Sequence, residues 1–310
     1  MSTNSKPVIR FQIIHYYVIP LIGLIVWWGM LAAMLLVWNA QGRPSCWFRH
    51  RIHQGPVYIS DIGATNLQPL FISCTGFQNI FFVGTLVMGW YLRKYTNKIQ
   101  PYISKHQPRL ALASIACAII GQLGILFVAV FNTRRYHQVH ITMVGIFIAF
   151  SCLACFCDFA ISFIFGIYPE KLDPVHDQVI FGNYKTSNLY FVSFVLKLIW
   201  LLAAIAFAIC FGSYMAEVEE AKSAVFEWLI SFWYGLLLVL WSMDLIPSAI
   251  RKYRCRNPHL YPRYESDESQ QEKGFPNYWM DNSMSDGFYD EDPTYIASFL
   301  TLPYRQPYKL

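Results

Sequence analysis

A short polar segment, Pro56 to Gly63 (PVYISDIG), precedes a long apolar run and holds the side chains best suited to chemistry. Its Ser60 hydroxyl and Asp61 carboxylate are neighbours, which suits either hydrolysis or contact with a lipid headgroup. Asp61 shortly before a glycine also suits a turn, and Thr65 or Asn66 is a candidate N-cap for the next helix. We therefore expect a structural role for the segment, with lipid or substrate contact as the functional alternative.

Four histidines are expected at the same end of the molecule as this segment. They are His50, His53, His137 and His140. Together with Asp61 they could ligate zinc if their loops converged, but their spacing matches no zinc signature, so we predict no metal and no other cofactor. Without a metal, a hydrolase built from Ser60, Asp61 and a histidine would need a geometry that the sequence cannot show. The prediction is a protein without catalytic residues, and a metal-dependent lipid hydrolase is the alternative.

Two further side chains are ionisable and lie inside apolar runs, where an unpaired charge is costly. Asp158 lies towards the end of one run, and Lys197 lies towards the start of the next. Neighbouring antiparallel helices would place them at a similar depth. We predict that they form an ion pair with Asp244 as a third member, either as a structural pair or as part of a proton or ion pathway.

Helices in a lipid bilayer are the elements that must position these residues. Of 310 residues, 55% are hydrophobic and 14% charged, against about 25% charged in soluble domains. Apolar runs recur that can each cross about 30 Å of hydrocarbon, and they lack the alternation of barrel strands. We predict an all-α, polytopic membrane protein with one membrane domain, 17–247. Its six helices are expected at about 17–38, 68–92, 110–131, 139–167, 189–214 and 227–247.

The distribution of basic residues predicts the orientation of these helices. Lys and Arg are about twice as frequent in the segments on the side of the N-terminus as in those on the other side. We therefore expect residues 1–16 and the tail, 248–310, in the cytosol, and the long loop, 39–67, outside. The polar and acidic composition of the tail predicts that most of it is disordered.

A basic cluster follows the sixth predicted span and consists of Arg251, Lys252, Arg254 and Arg256. Such a cluster attracts anionic lipids with roughly 1 kcal/mol per basic residue, although an ordinary positive-inside flank has the same composition. Cys255 is a candidate for palmitoylation. Ser266 and Ser269 lie among acidic residues, and their phosphorylation would weaken the attraction.

Four motifs make the chain recognisable: WWGMLAAML at 27–35, AQG at 40–42, PVYISDIGATNLQPLFISC at 56–74 and FNTRRYHQVH at 131–140. With these motifs the chain resembles the Frag/DRAM/Sfk family of six-span membrane proteins, and most closely its fungal Sfk branch. The family has a Pro-x-x-Ile-Ser-Asp-x-Gly stretch before its second helix and a histidine, here His140, that opens its fourth. The stretch is represented by Pro56, Tyr58, Ile59, Ser60, Asp61 and Gly63.

The resemblance implies a plasma-membrane protein that supports the recruitment and activity of a phosphatidylinositol 4-kinase complex, and hence the synthesis of phosphatidylinositol 4-phosphate. It also implies an influence on phospholipid organisation across the bilayer. The implied partners are this kinase complex and membrane lipids, namely anionic phospholipids, phosphoinositides and sterol, with no nucleic acid. Other branches remodel GPI-anchor lipids or act in autophagy. They give the alternative of a lipid-remodelling enzyme or lipid-binding protein in endolysosomal, vacuolar, Golgi or ER membranes.

Overall fold

A computed structural model describes residues 15–44, 56–96, 98–172 and 188–256, without the side chains of 254–256. The predictions for His50, His53, Ser266 and Ser269 lie outside these residues. The same holds for the predicted cytosolic segment before residue 15 and for the tail beyond residue 256.

The described chain forms six long helices that are apolar enough to cross a bilayer. The helices, with a short α2, are α1 (Val18–Ala40), α2 (Ile59–Gly63), α3 (Gln68–Tyr95), α4 (Gln107–Val130), α5 (His137–Ile167), α6 (Leu189–Ala216) and α7 (Glu220–Arg256). A 3₁₀ turn at Pro169–Lys171 follows α5, and the described residues contain no β-strand. The prediction of an all-α membrane protein with six spanning helices is confirmed.

The six long helices pack in a ring that follows their order in the chain. Each contacts the next, from α1 with α3 through to α6 with α7, and α7 returns to contact α1. Aromatic side chains fill the interior: the Phe82 ring lies between Tyr234 and Trp241, with centroid separations of 5.6 and 4.6 Å. Because lipid tails are as apolar as these side chains, close packing and hydrogen bonds must hold the ring together.

Small residues and indole groups make the closest contacts between helices. A Cβ atom on Gly124 of α4 would lie 2.9 Å from the backbone nitrogen of Phe147 in α5, so only glycine allows this approach. Between α1 and α7, the Trp27 indole donates to the Ser231 carbonyl oxygen at 2.7 Å. Each such bond satisfies an N–H group that the hydrocarbon could not.

The two ends of the bundle differ in charge. One end carries the start of α1, the α3–α4 loop, the end of α5, the start of α6 and the end of α7, and we call it the basic end. Its described Lys and Arg side chains are Arg93, Lys94, Lys98, Lys105, Arg109, Lys171, Arg251 and Lys252. The opposite end carries α2 and is called the α2 end. Its described Lys and Arg side chains are Arg43, Arg134, Arg135 and Lys222.

Helix α7 is longer at both ends than the predicted span, 227–247. It begins at Glu220, so only residues 217–219 connect it to α6, and it continues through Pro247 to Arg256. Proline removes a single backbone hydrogen bond, and Leu245 beside it stays buried against Leu92. The basic cluster that begins at Arg251 therefore belongs to this helix and not to the tail.

Candidate functional site

A buried charge cluster lies within the membrane-spanning part of the bundle and is centred on Lys197 of α6, whose side chain is 0% exposed. Its Nζ atom lies 2.9 Å from Asp158 Oδ2 of α5 and 2.5 Å from Asp244 Oδ2 of α7. It also donates to Ser162 Oγ at 2.9 Å. All three hydrogens of the ammonium group therefore have acceptors, which is the condition for burying a charge. The structure thus brings together the three charged residues that the sequence grouped.

Three polar side chains that the sequence analysis missed complete this cluster. Ser162 is one, Ser193 donates to Asp244 Oδ1 at 2.6 Å, and the Trp241 indole donates to Asp158 Oδ2 at 2.9 Å. Each lies one helical turn from a charged member on the same helix, so spacing could have identified them.

A cavity of about 40 Å³ borders the cluster on the side of the basic end. Its polar lining includes Thr85, Trp90, Arg93, Tyr102, Ser114 and Asp158. Arg93 lies over the Phe165 ring, 4.8 Å from its centroid, and donates to the Gln100 carbonyl oxygen at 3.0 Å. Burial raises the pKa of Tyr102, in the α3–α4 loop, to about 12, so its hydroxyl keeps its proton and can donate. The cavity therefore combines carboxylates with hydrogen-bond donors.

The segment from Pro56 to Gly63 is held against α7 at the α2 end. The Glu227 carboxylate accepts a hydrogen bond from the Ile59 backbone N–H at 2.6 Å and also bonds the backbone and hydroxyl of Ser60. The Trp228 indole donates to the Val57 carbonyl oxygen at 2.9 Å. The sequence gives no local signal for Glu227 or Trp228, because each partner lies far away along the chain.

Other residues of this segment also make packing or turn contacts. Tyr58 precedes α2 and packs edge-on against Phe211, and burial raises the pKa of its hydroxyl. A Cβ atom on Gly63 would lie 2.6 Å from the Phe71 ring, so a side chain there would require this ring to move. Neither Thr65 nor Asn66 is the N-cap of α3, but the Thr65 hydroxyl accepts from the Leu67 backbone N–H at 3.3 Å, just before the helix begins. The N-cap is Leu67 without a side-chain bond, and the Thr65 hydroxyl donates to the Ile62 carbonyl oxygen.

The two described histidines of the α2 end, His137 and His140, are bonded within their own loop and helix. His140 is 4% exposed, and its Nδ1 lies 2.9 Å from the Phe131 carbonyl oxygen. Because a carbonyl only accepts, this nitrogen carries the proton. His137 Nδ1 lies 3.2 Å from Thr133 Oγ1. The hydroxyl of Ser60 bonds Glu227, so the described contacts do not assemble a Ser-His-Asp arrangement, and no group of three or more metal-binding side chains occurs in the described part of the chain.

The basic cluster at the end of α7 is only partly displayed. The Arg251 side chain is 9% exposed, and Lys252 is half-buried. The Arg251 side chain is thus largely buried in this conformation, and the binding of anionic lipid by Arg251 and Lys252 stays a prediction. The side chains of Arg254, Cys255 and Arg256 lie outside the described part, so their lipid binding and palmitoylation stay predictions.

Comparisons with known proteins agree with the motifs. A family model described as Frag1/DRAM/Sfk1/Cwh43P N-terminal domain matches residues 15–248. Protein SFK1 of Saccharomyces cerevisiae is 36% identical over 276 residues, which cover 74% of this chain and 77% of that protein. Protein sfk1 of Schizosaccharomyces pombe is 24% identical over 254 residues, covering 80% and 68%. No solved structure is significantly similar. The match spans α1 to α6 and most of α7, and the chain therefore belongs to the Frag1/DRAM/Sfk1/Cwh43 family of multi-pass membrane proteins.

Proposed function

We propose that this chain is a non-catalytic plasma-membrane protein that helps a phosphatidylinositol 4-kinase complex act at the inner leaflet. It thereby supports the synthesis of phosphatidylinositol 4-phosphate and influences how phospholipids are organised across the bilayer. The support of the kinase by this chain is an expectation from the resemblance to the fungal Sfk branch. The sequence identity with Protein SFK1 of S. cerevisiae, which extends over most of both chains, supports the assignment to this branch.

The observation that carries the proposal is the ordered basic surface of the α3–α4 loop. Its four exposed cations are Lys98 and Lys105 in the loop itself and, in the adjoining helix turns, Lys94 of α3 and Arg109 of α4. Two contacts fold the loop onto the bundle: Arg93 donates to the Gln100 carbonyl oxygen, and Lys98 Nζ donates to the Tyr16 hydroxyl at 2.7 Å. A preformed basic surface beside the headgroups attracts anionic lipid and can bind an acidic surface of a protein partner.

The same surface supports the proposed orientation. Short loops rich in Lys and Arg stay on the cytosolic side during insertion, so the basic end faces the cytosol and the α2 end faces outside. The kinase and its lipid substrate act at the cytosolic leaflet, which is where this orientation presents the four cations.

The contacts at the α2 end do not favour the alternative of a lipid-remodelling enzyme. Ser60 is bonded to the Glu227 carboxylate, and the protonated Nδ1 of His140 is bonded to a backbone carbonyl. In a Ser-His-Asp hydrolase a histidine takes the serine proton, whereas Ser60 here bonds a carboxylate that also holds the Ile59 backbone N–H, and His140 bonds a backbone carbonyl.

Imaging of phosphatidylinositol 4-phosphate in living cells tests the proposal. Cells that lack this chain should show a weaker sensor signal at the plasma membrane, and re-expression of the wild-type chain should restore it. A normal sensor signal in the cells without the chain would overturn the proposed role.

A further inference from the structure

The cavity beside the charge cluster is elongated along α3. Thr85, Gly89 and Arg93 line it at intervals of four residues, so they share one face of the helix over about 12 Å at 1.5 Å per residue. Thr85 marks its deep part, and Arg93 lies one residue before Lys94 in the last turn of α3, near the basic end. The cavity therefore extends from the depth of lipid headgroups into the membrane-spanning region.

The deep part of the cavity offers an acceptor. The Asp158 side chain is 18% exposed, and its Oδ2 atom already accepts from Lys197 and Trp241. Its second carboxylate oxygen has no hydrogen bond to any described residue. A donor entering the cavity would find this oxygen available.

The part of the cavity nearest the basic end offers hydrogen-bond donors. Arg93 donates one N–H to the Gln100 carbonyl oxygen and lies beside the Tyr190 hydroxyl, and because a guanidinium has five N–H groups, further donors remain. The Trp90 indole nitrogen is buried and has no hydrogen-bond partner among the described residues. A buried donor without a partner costs free energy, so this group is suited to an acceptor on a ligand that enters the cavity.

From this arrangement we propose that the cavity binds the headgroup of an aminophospholipid, with its primary ammonium at Asp158 and its phosphate at Arg93 and the Trp90 indole. This site is independent of the proposed kinase role. The shared chemistry is a phosphate joined to a primary ammonium by a short linker, as in ethanolamine and serine phospholipids.

The charges of the site favour a headgroup that carries both an ammonium and a phosphate over a simple ion. The negative charges of Asp158 and Asp244 offset the positive charges of Lys197 and Arg93. The carboxylates lie deep in the cavity, and the guanidinium lies nearer the basic end. A lone anion would meet two carboxylates, and a lone cation would meet Arg93 on entry. A choline headgroup is bulkier than an ethanolamine headgroup and has no N–H to donate to Asp158, so it should bind less well.

Two glycines of α3 give a test with a matched control. A Cβ atom on Gly89 or on Gly84 would have no neighbouring atom within 4 Å, so both positions tolerate a side chain. Gly89 lines the cavity. Gly84 lies on the opposite, lipid-facing side with exposed Ile80 and Tyr91. Gly89→Leu therefore fills the site, whereas Gly84→Leu adds the same bulk elsewhere.

The experiment is native mass spectrometry of the purified full chain with equal amounts of ethanolamine, serine and choline phospholipids carrying identical acyl chains. We expect about tenfold preferential retention of the two aminophospholipids, equal to about 1.4 kcal/mol. The preference should disappear in Gly89→Leu and persist in Gly84→Leu. Asp158→Asn is the second variant, because it keeps the side-chain shape and leaves Asp244 to neutralise Lys197, and it should also lose the preference.

Several outcomes would overturn this assignment. Equal retention of the three lipids by the wild-type chain would show that the cavity does not select an aminophospholipid. A preference that survives both Gly89→Leu and Asp158→Asn would place the lipid elsewhere. Soluble phosphoethanolamine that raises the melting temperature in choline-lipid micelles, without preferential lipid retention, would identify a dissolved ligand instead of a lipid.

Discussion

The Nζ atom of Lys197 lies 2.9 Å from the Oδ2 atom of Asp158, although 39 residues separate the two along the chain. The same nitrogen also contacts Asp244, so one ammonium group joins α5, α6 and α7. A bilayer interior cannot solvate any of the three charges alone. Because every hydrogen of the ammonium group is bonded, the arrangement favours a structural ion cluster.

Removal of the ammonium group should be the most damaging change in this cluster. Lys197→Met leaves two carboxylates without a cation, and we expect a loss of roughly 3–5 kcal/mol in the free energy of unfolding. Asp158→Asn should cost less, since Asp244 still neutralises Lys197 and the amide oxygen can still accept from Trp241. Melting temperatures of the purified variants measure both effects. A Lys197→Met protein as stable as the wild type would contradict this interpretation.

Glu227 should protect the backbone of α2 from hydrogen exchange. Glu227→Ala removes the acceptor of the Ile59 N–H, and we expect hydrogen exchange at Ile59 and Ser60 to accelerate about tenfold to hundredfold, as expected for a lost bond of 1–3 kcal/mol. Glu227→Gln keeps an acceptor oxygen and should have a smaller effect. Exchange measured by mass spectrometry on peptides covering residues 56–64 gives the comparison.

Lys222→Ala is the matched control for Glu227→Ala on the same helix. Its ion pair with Glu219 is exposed to solvent, and such pairs contribute little to stability. If exchange in α2 were the same in Glu227→Ala and Lys222→Ala, the contact between Glu227 and α2 would have no part in holding the segment.

The contact between α4 and α5 should be sensitive to a single methyl group. In Gly124→Ala the new Cβ would lie 2.9 Å from the Phe147 backbone, and we expect a loss on the order of 1–3 kcal/mol from the forced separation. Gly145→Ala on α5 meets no atom within 4 Å and should leave the melting temperature unchanged or slightly raised. Equal melting of the two variants would contradict the close approach.

The sequence was sufficient to predict the six spans and the charged residues that meet. Both follow from constraints that act locally: a span must be apolar and long enough, and a charge such as Asp158 must find a partner at its own depth. The family could also be recognised from the sequence, because its motifs occur in continuous stretches such as 56–74.

Other features depend on contacts that no local pattern encodes. Ile59 and Glu227 are 168 residues apart, and their bond exists only because α7 closes the ring beside α1. Pro247 lacks a backbone N–H and therefore predicts the end of a helix. Helix α7 nevertheless continues, because neighbouring residues such as Leu245 are packed against the bundle. His137, His140 and Ser60 share the α2 end as expected, but the structure gives each a separate partner.

The most direct test of the proposed function compares kinase recruitment by two chains that have each lost four cations. In one, Lys94, Lys98, Lys105 and Arg109 of the basic end are changed to Gln. In the matched control, the changes are Arg43→Gln, Arg134→Gln, Arg135→Gln and Lys222→Gln at the α2 end. The measured quantity is the amount of phosphatidylinositol 4-kinase at the plasma membrane, at equal surface abundance of each chain. Cells with the first variant should recruit little more kinase than cells without the chain, and cells with the control should recruit as much as cells with the wild type. Equal recruitment by both variants and the wild type would contradict the proposal that the basic end supports the kinase.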